Sequence, residues 1–122
     1  VTGVSKKKLK KQLESSNLKN TKKVNSKMNS ELLKSKEYKD MNYASNYLKT
    51  LNKQLQKERP GAQLYLNRED ANRYNELTNK YNAKGKSVLE SHKDEVSSAM
   101  LKDLGYDDTK EGRDYIYKVA NR

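Results

Sequence analysis

Between residues 41 and 55 the apolar positions recur at spacings of three and four: Met41, Ala44, Leu48, Leu51 and Leu55. That is the period of one helix face, at roughly 100° per residue. Tyr43 and Tyr47 fall beside this stripe and widen it, while Asn42, Ser45, Asn46, Lys49, Asn52, Lys53, Gln56 and Lys57 fall on the other side. A helix so divided has a face to bury, and Leu48 and Leu51 are expected in the core. Arg59-Pro60-Gly61 ends it, because proline removes a donor and disfavours helix in the residue before it, and glycine permits the turn.

The punctuation on either side of this helix points to an all-α fold, a small helical bundle. The long helix spans about 36–58 and the turn 59–61. Asn67 can cap a helix over about 68–84, with Glu69 and Asp70 at the positive end of its dipole and Gly85 closing it. Ser87-Val88-Leu89-Glu90 reads as a capping box for a helix over about 88–104. Its apolar face would hold Val88, Leu89, His92, Val96, Ala99, Met100 and Leu104, with Ser97 on the polar side. Gly105 then serves as a left-handed C-cap. Thr109 opens a last helix over about 109–120, whose apolar content is Tyr115, Ile116, Val119 and Ala120. Together these make a helical body of residues 36–122. Strand signals are nearly missing, and no fixed-period repeat is visible.

Ahead of this body, residues 1–35 have only one apolar residue per turn. Leu9 and Leu13 are one turn apart, as are Val24, Met28 and Leu32. So narrow a stripe predicts a basic, partly helical N-terminal arm that orders on a partner. The charge supports this division. The chain carries +11, and the whole excess lies in residues 1–61; residues 62–122 hold 11 basic and 11 acidic side chains. Residues 1–30 hold nine Lys (Lys6, Lys7, Lys8, Lys10, Lys11, Lys19, Lys22, Lys23 and Lys27) against the single acid Glu14. A basic segment joined to a neutral body reads as a polyanion contact, and these nine are the candidate nucleic-acid-binding residues. The competing reading is a solubilising face of ordinary surface helix, with Lys stems lying over Leu and Met.

Leu, Ile, Val and Phe together supply 21 of the 122 residues, and all nine aromatics are Tyr. With so high a net charge, that predicts a thin core and apolar surface awaiting a partner. The lack of cysteine excludes disulfides, thiolate zinc sites and thiol nucleophiles, and fits a reducing cytoplasm. No apolar run approaches the roughly 20 residues of a membrane span, and no secretory apolar segment is present. The chain begins at Val1 rather than Met, which suggests removal of upstream residues or a fragment of a longer protein.

Constellations for chemistry are weak. His92 is the only histidine and reads as a packed residue on an apolar face. Asp107-Asp108 reads as helix capping, since helix neighbours in sequence do not face each other. Gly85-Lys86-Ser87 lacks the first glycine and the strand of a phosphate loop. What survives is a helix start at Ser87 that, with Lys86, would hold one phosphate. Arg73-Tyr74, Lys80-Tyr81 and Tyr117-Lys118 pair aromatics with cations but read as core or rim tyrosines rather than base-stacking platforms. No zinc-finger spacing, RNA-reading sheet motif or long zipper is present. No catalytic residue, metal site or cofactor is therefore expected.

A Lys- and Asn-rich, cysteine-free helical chain with this basic leader resembles the small accessory and virion proteins of tailed phages with AT-rich genomes. The leader also resembles the basic helical domain of terminal proteins from protein-primed phages. The resemblance is one of composition. It implies a viral, non-enzymatic protein that contacts DNA through backbone phosphates and docks onto a larger protein assembly, in a virion or the host cytoplasm and not in a membrane. The alternative is a protein–protein structural, packaged or adaptor module, or a phage inhibitor of a host enzyme, without a nucleic-acid role.

Overall fold

The computed structural model describes residues 1–121 and shows an all-α protein. The helices are α1 (Lys6–Ser15), α2 (Lys19–Leu33), α3 (Lys36–Glu58), α4 (Arg68–Ser91), α5 (Lys93–Leu104) and α6 (Lys110–Ala120). They fall into two compact units. The first joins Val1–Ser30 to the chain from Val88 onward, and the second is Glu31–Ser87. The division expected at residue 35, between an arm and a body, is thus replaced by one in which the leader shares a unit with the C-terminal helices.

Leu9 explains the difference. It is fully buried, in one cluster with Met100, Leu101, Ile116 and Val119, and Val1, Val4, Leu13, Leu104, Tyr106 and Tyr115 pack around that cluster. The stripe on α1 is narrow, but α5 and α6 supply the other walls of its pocket, and α1 lies against both. Two polar ties fix it there. The Tyr106 hydroxyl donates to Gln12 Oε1 at 2.7 Å, and the Tyr115 hydroxyl donates to the Val4 carbonyl. Gly112 lets the chain start approach α6 closely. A Cβ on it would stand 2.9 Å from both Val1 Cγ1 and Thr109 Oγ1, and the latter hydroxyl is occupied as the α6 N-cap, accepting from the Gly112 amide.

Local signals place most helix ends where expected. Ser35 Oγ accepts from the Tyr38 amide, and α3 then runs to Glu58. Gly61 takes φ +84°, and the Gln56 amide group stitches the turn, accepting from Gly61 N and donating to the Ala62 carbonyl. Asn67 Oδ1 accepts from the Asp70 amide at 2.8 Å, and Gly105 is left-handed at φ +79°. The exception is Gly85. Helix α4 passes through it and through Ser87 to Ser91, and the break falls at His92, whose φ of −111° and ψ of 16° leave the helical well. One internal glycine costs only about 1 kcal/mol relative to alanine, which the turns on either side offset. No helix begins at Ser87, so the phosphate site imagined there with Lys86 has no N-terminus to use.

The restart after His92 also rotates the face of α5. Ser97 and Leu101 are buried along with Val96, Ala99 and Met100, while Leu104 is only half-buried. On α6, Tyr117 is buried, as a core or rim tyrosine would be, whereas Ala120, counted among the apolar positions, is exposed.

The second unit is an antiparallel hairpin of α3 and α4. Thr78 Oγ1 lies 3.6 Å from Met41 Sδ, and the Tyr38 and Tyr81 rings meet at 6.0 Å. No residue of this unit is buried. Leu48 and Leu51, expected in a core, are half-buried, and Tyr43 and Tyr47 are 77% and 59% exposed. Two helices cannot close a core over a stripe this wide; the face remains open as a groove.

Leu9→Ala should therefore destabilise the first unit by about 2–5 kcal/mol, the cost of emptying a closed core site. Urea unfolding followed by circular dichroism reads it. Coincident transitions for mutant and parent would show that α1 is not part of the core.

Candidate nucleic-acid interface

All nine candidate lysines are exposed, and all lie on the helices of the leader. On α1, capped by Ser5 Oγ accepting from the Lys8 amide, Leu9 and Leu13 point inward. At roughly 100° per residue, Lys7 and Lys11 then stand opposite the core, with Lys8 and Lys10 on the flanks and Lys6 nearer the edge. On α2, Thr21 is buried and Val24 and Met28 are half-buried, which turns Lys19, Lys22, Lys23 and Lys27 outward. Lys6–Lys11 and Lys19–Lys27 are thus two cationic faces on two helices of a folded unit. They are separated by the short link through Ser16-Asn17-Leu18.

Two of the nine make polar contacts. Lys27 Nζ lies 3.3 Å from Glu95 Oε2, with both side chains largely exposed, so this pair holds little energy. Lys22 Nζ reaches Asn17 Oδ1 at 3.3 Å. The lysines share their unit with the acid-rich stretch 88–122, in which eight carboxylates face six basic residues. Within the first unit the positive excess therefore lies on α1 and α2.

A cluster of like charges at the start of a helix opposes the helix dipole, and Lys19 and Lys22 sit in the first turn of α2. Asp103, from the end of α5, answers it. Its Oδ1 accepts from the backbone N–H and the side-chain amide of Asn20, at 2.9 and 2.7 Å. Its Oδ2 accepts from the backbone N–H and the hydroxyl of Thr21, at 2.8 and 2.7 Å. Partial burial pushes the Asp103 carboxyl upward, but the four hydrogen bonds to its charged form outweigh this and hold it below the ordinary value. Asp103 is the residue that fixes α2, and sequence reasoning missed it. A cap supplied from more than eighty residues away leaves no local pattern.

The other candidates settle into structural roles. His92 is at the N-cap position of α5 with Nδ1 3.6 Å from Glu95 Oε1. Asp108 does not cap a helix. It accepts from the Ser98 hydroxyl and from Arg113, each at 2.6 Å, and the Ser98 bond, followed by the Arg113 partner, holds its carboxyl low. Tyr117 is buried, with its hydroxyl 3.4 Å from Glu90 and Lys93 Nζ 5.2 Å from its ring centroid. Burial, then the Glu90 charge, raises its pKa. Tyr74 and Tyr81 are half-buried. Among the described residues no cluster of three His, Cys, Asp or Glu side chains could hold a metal, and no helix is long and apolar enough to cross a membrane.

Two concavities accompany the lysine faces. One, of about 340 Å³, lies in the first unit among α1, α2, α5 and α6 and is lined by Leu13, Leu18, Val96 and Met100, with Lys10 and Glu14 at its edge. The other, of about 550 Å³, is the open groove of the α3–α4 hairpin. No protein-family model matches the chain, and no curated protein or solved structure matches it either.

Asp103→Ala should cost about 1–2 kcal/mol, the worth of a lost cap, and loosen α2 first. The sign with pH follows from the lowered carboxyl. Its contribution is whole above the ordinary value of 3.8 and drains away as pH falls below it, toward the folded-state value. Hydrogen exchange should show faster opening at the Asn20 and Thr21 amides in the mutant; unchanged protection there would refute the cap.

Proposed function

We propose that this is a non-enzymatic protein that contacts nucleic acid, or another polyanion, through the lysine faces of α1 and α2, and that it docks by its helical surface onto a larger assembly. One observation carries the reading. Nine cationic side chains project to solvent from helices whose inward residues, Leu9 and Thr21, are buried. The lysines are therefore an ordered array on a rigid support rather than points on a flexible tail. Such an array pays little ordering entropy when phosphates neutralise it.

The mechanism is phosphate neutralisation with counterion release, in which backbone contacts position the protein and no base is read. Duplex DNA is the expected partner. Lys- and Asn-rich, cysteine-free composition supports a phage particle, or the cytoplasm of an infected host, as the setting. A protein–protein adaptor without a nucleic-acid role is the second reading, favoured by the open apolar groove of α3 and α4, where Tyr43 and Tyr47 stand exposed.

With about half of the nine lysines engaged at once, log affinity for duplex DNA should fall against log salt with a slope of about −4, nearly independent of sequence. Lys→Gln changes at Lys7, Lys10 and Lys11 should each reduce the slope by about half a unit, since each is engaged about half of the time, with no position dominant. Substitution is the right perturbation, because deleting the leader would also remove Leu9. Fluorescence anisotropy across a salt series reads the outcome, and no binding at low salt would favour the adaptor reading.

A further inference from the structure

The groove of the α3–α4 hairpin is self-complementary, and we propose that its occupant is the same groove of a second copy of this chain, the two hairpins closing face to face into an antiparallel four-helix bundle. This does not rest on the polyanion reading.

The argument begins with register. Tyr38 meets Tyr81 and Met41 meets Thr78, so three residues forward on α3 are three residues back on α4. On that register the midpoint between Tyr47 and Leu48 is level with the midpoint between Ala71 and Asn72. A two-fold axis across the hairpin at this level sets each helix antiparallel to its own copy. On α3 it places Tyr47 on the partner's Leu48 and the small Ala44 on the partner's Leu51. On α4 it places Asp70 on the partner's Arg73. Six of the eleven residues lining the groove are paired by this single operation, apolar with apolar and acid with base. An isologous interface demands this property, and an arbitrary partner does not.

Two further observations agree. Asp70 and Arg73 make no ion pair among the described residues, so both are available to a partner. And no residue of Glu31–Ser87 is buried. Four-helix bundles solve that problem by facing two such pairs across a shared core. The symmetry doubles every contact, so each Asp70–Arg73 pair forms twice.

Sedimentation equilibrium of the full chain, without nucleic acid, tests this. The expected result is a reversible dimer. Arg73→Asp or Asp70→Arg alone sets two like-charge pairs in the interface and should weaken dimerisation by about tenfold or more. The double variant D70R/R73D restores opposite signs and should return the dissociation constant to within about threefold of the parent. Tyr47→Glu changes a side chain that is 59% exposed in the single chain, so it should keep its helical circular dichroism yet remain monomeric. A parent that stays monomeric at high micromolar concentration overturns the proposal. So does a dimer indifferent to Arg73→Asp and Tyr47→Glu, or a double swap no tighter than the single ones.

Discussion

The first unit depends on Leu9 lying against Met100, Leu101, Ile116 and Val119. Burying one leucine contributes about 1.5–3 kcal/mol. Here that contact also decides the status of the whole leader. With Leu9 seated, α1 becomes the third wall of a core that α5 and α6 cannot close alone, and five lysines of α1 acquire fixed directions. The Asp103 carboxylate does the same for α2 by a different force, four hydrogen bonds to two residues. Apolar packing holds one cationic helix and a charged cap holds the next. In both cases the anchor comes from the acid-rich end of the chain.

The two units show opposite solutions to the same shortage of large apolar residues. The first concentrates its aliphatics in one cluster, ties two tyrosine hydroxyls to polar partners on α1 and ahead of it, and uses a glycine for close approach. The second spreads leucines and tyrosines along a long hairpin and buries none of them. A hairpin of this kind is held by its caps and its stitched turn more than by packing, which is why its apolar side is the natural place for association.

What was legible in the sequence was what is encoded locally. The Arg59-Pro60-Gly61 turn, Asn67, Gly105 and Thr109 mark helix ends by short-range hydrogen bonds and backbone preference, and all of them act where the pattern puts them. The concentration of nine lysines in residues 1–30 was readable from the charge alone, but not that they stand on two helices of a folded unit. The rest depended on partners distant in the chain. One leucine per turn on α1 looks insufficient until residues 96–119 supply the remaining walls. Ser97 looked like a polar position, and Leu101 was left out of the face, because the break at His92, not Gly85, sets the phase of α5. Leu48 and Leu51 had the right period for a core, but period tells which face is apolar and not whether anything covers it.

The first unit is split in the chain, with the whole of Glu31–Ser87 standing between its halves. That arrangement sets an order of events during synthesis. Each end of α3 and α4 is marked by its own neighbours, so the hairpin can form while the chain is still growing. The leader cannot settle until α5 and α6 are made, because Leu9 packs against both and Thr21 is held by Asp103. Prior formation of the hairpin shortens the loop that must close, and so lowers the entropy lost when the two halves meet. Until α5 and α6 emerge, the net +8 of residues 1–30 is without its acid-rich counterpart. Seating on α5 and α6 then turns residues 1–30 from an unpacked strand into two helices whose lysines have fixed directions.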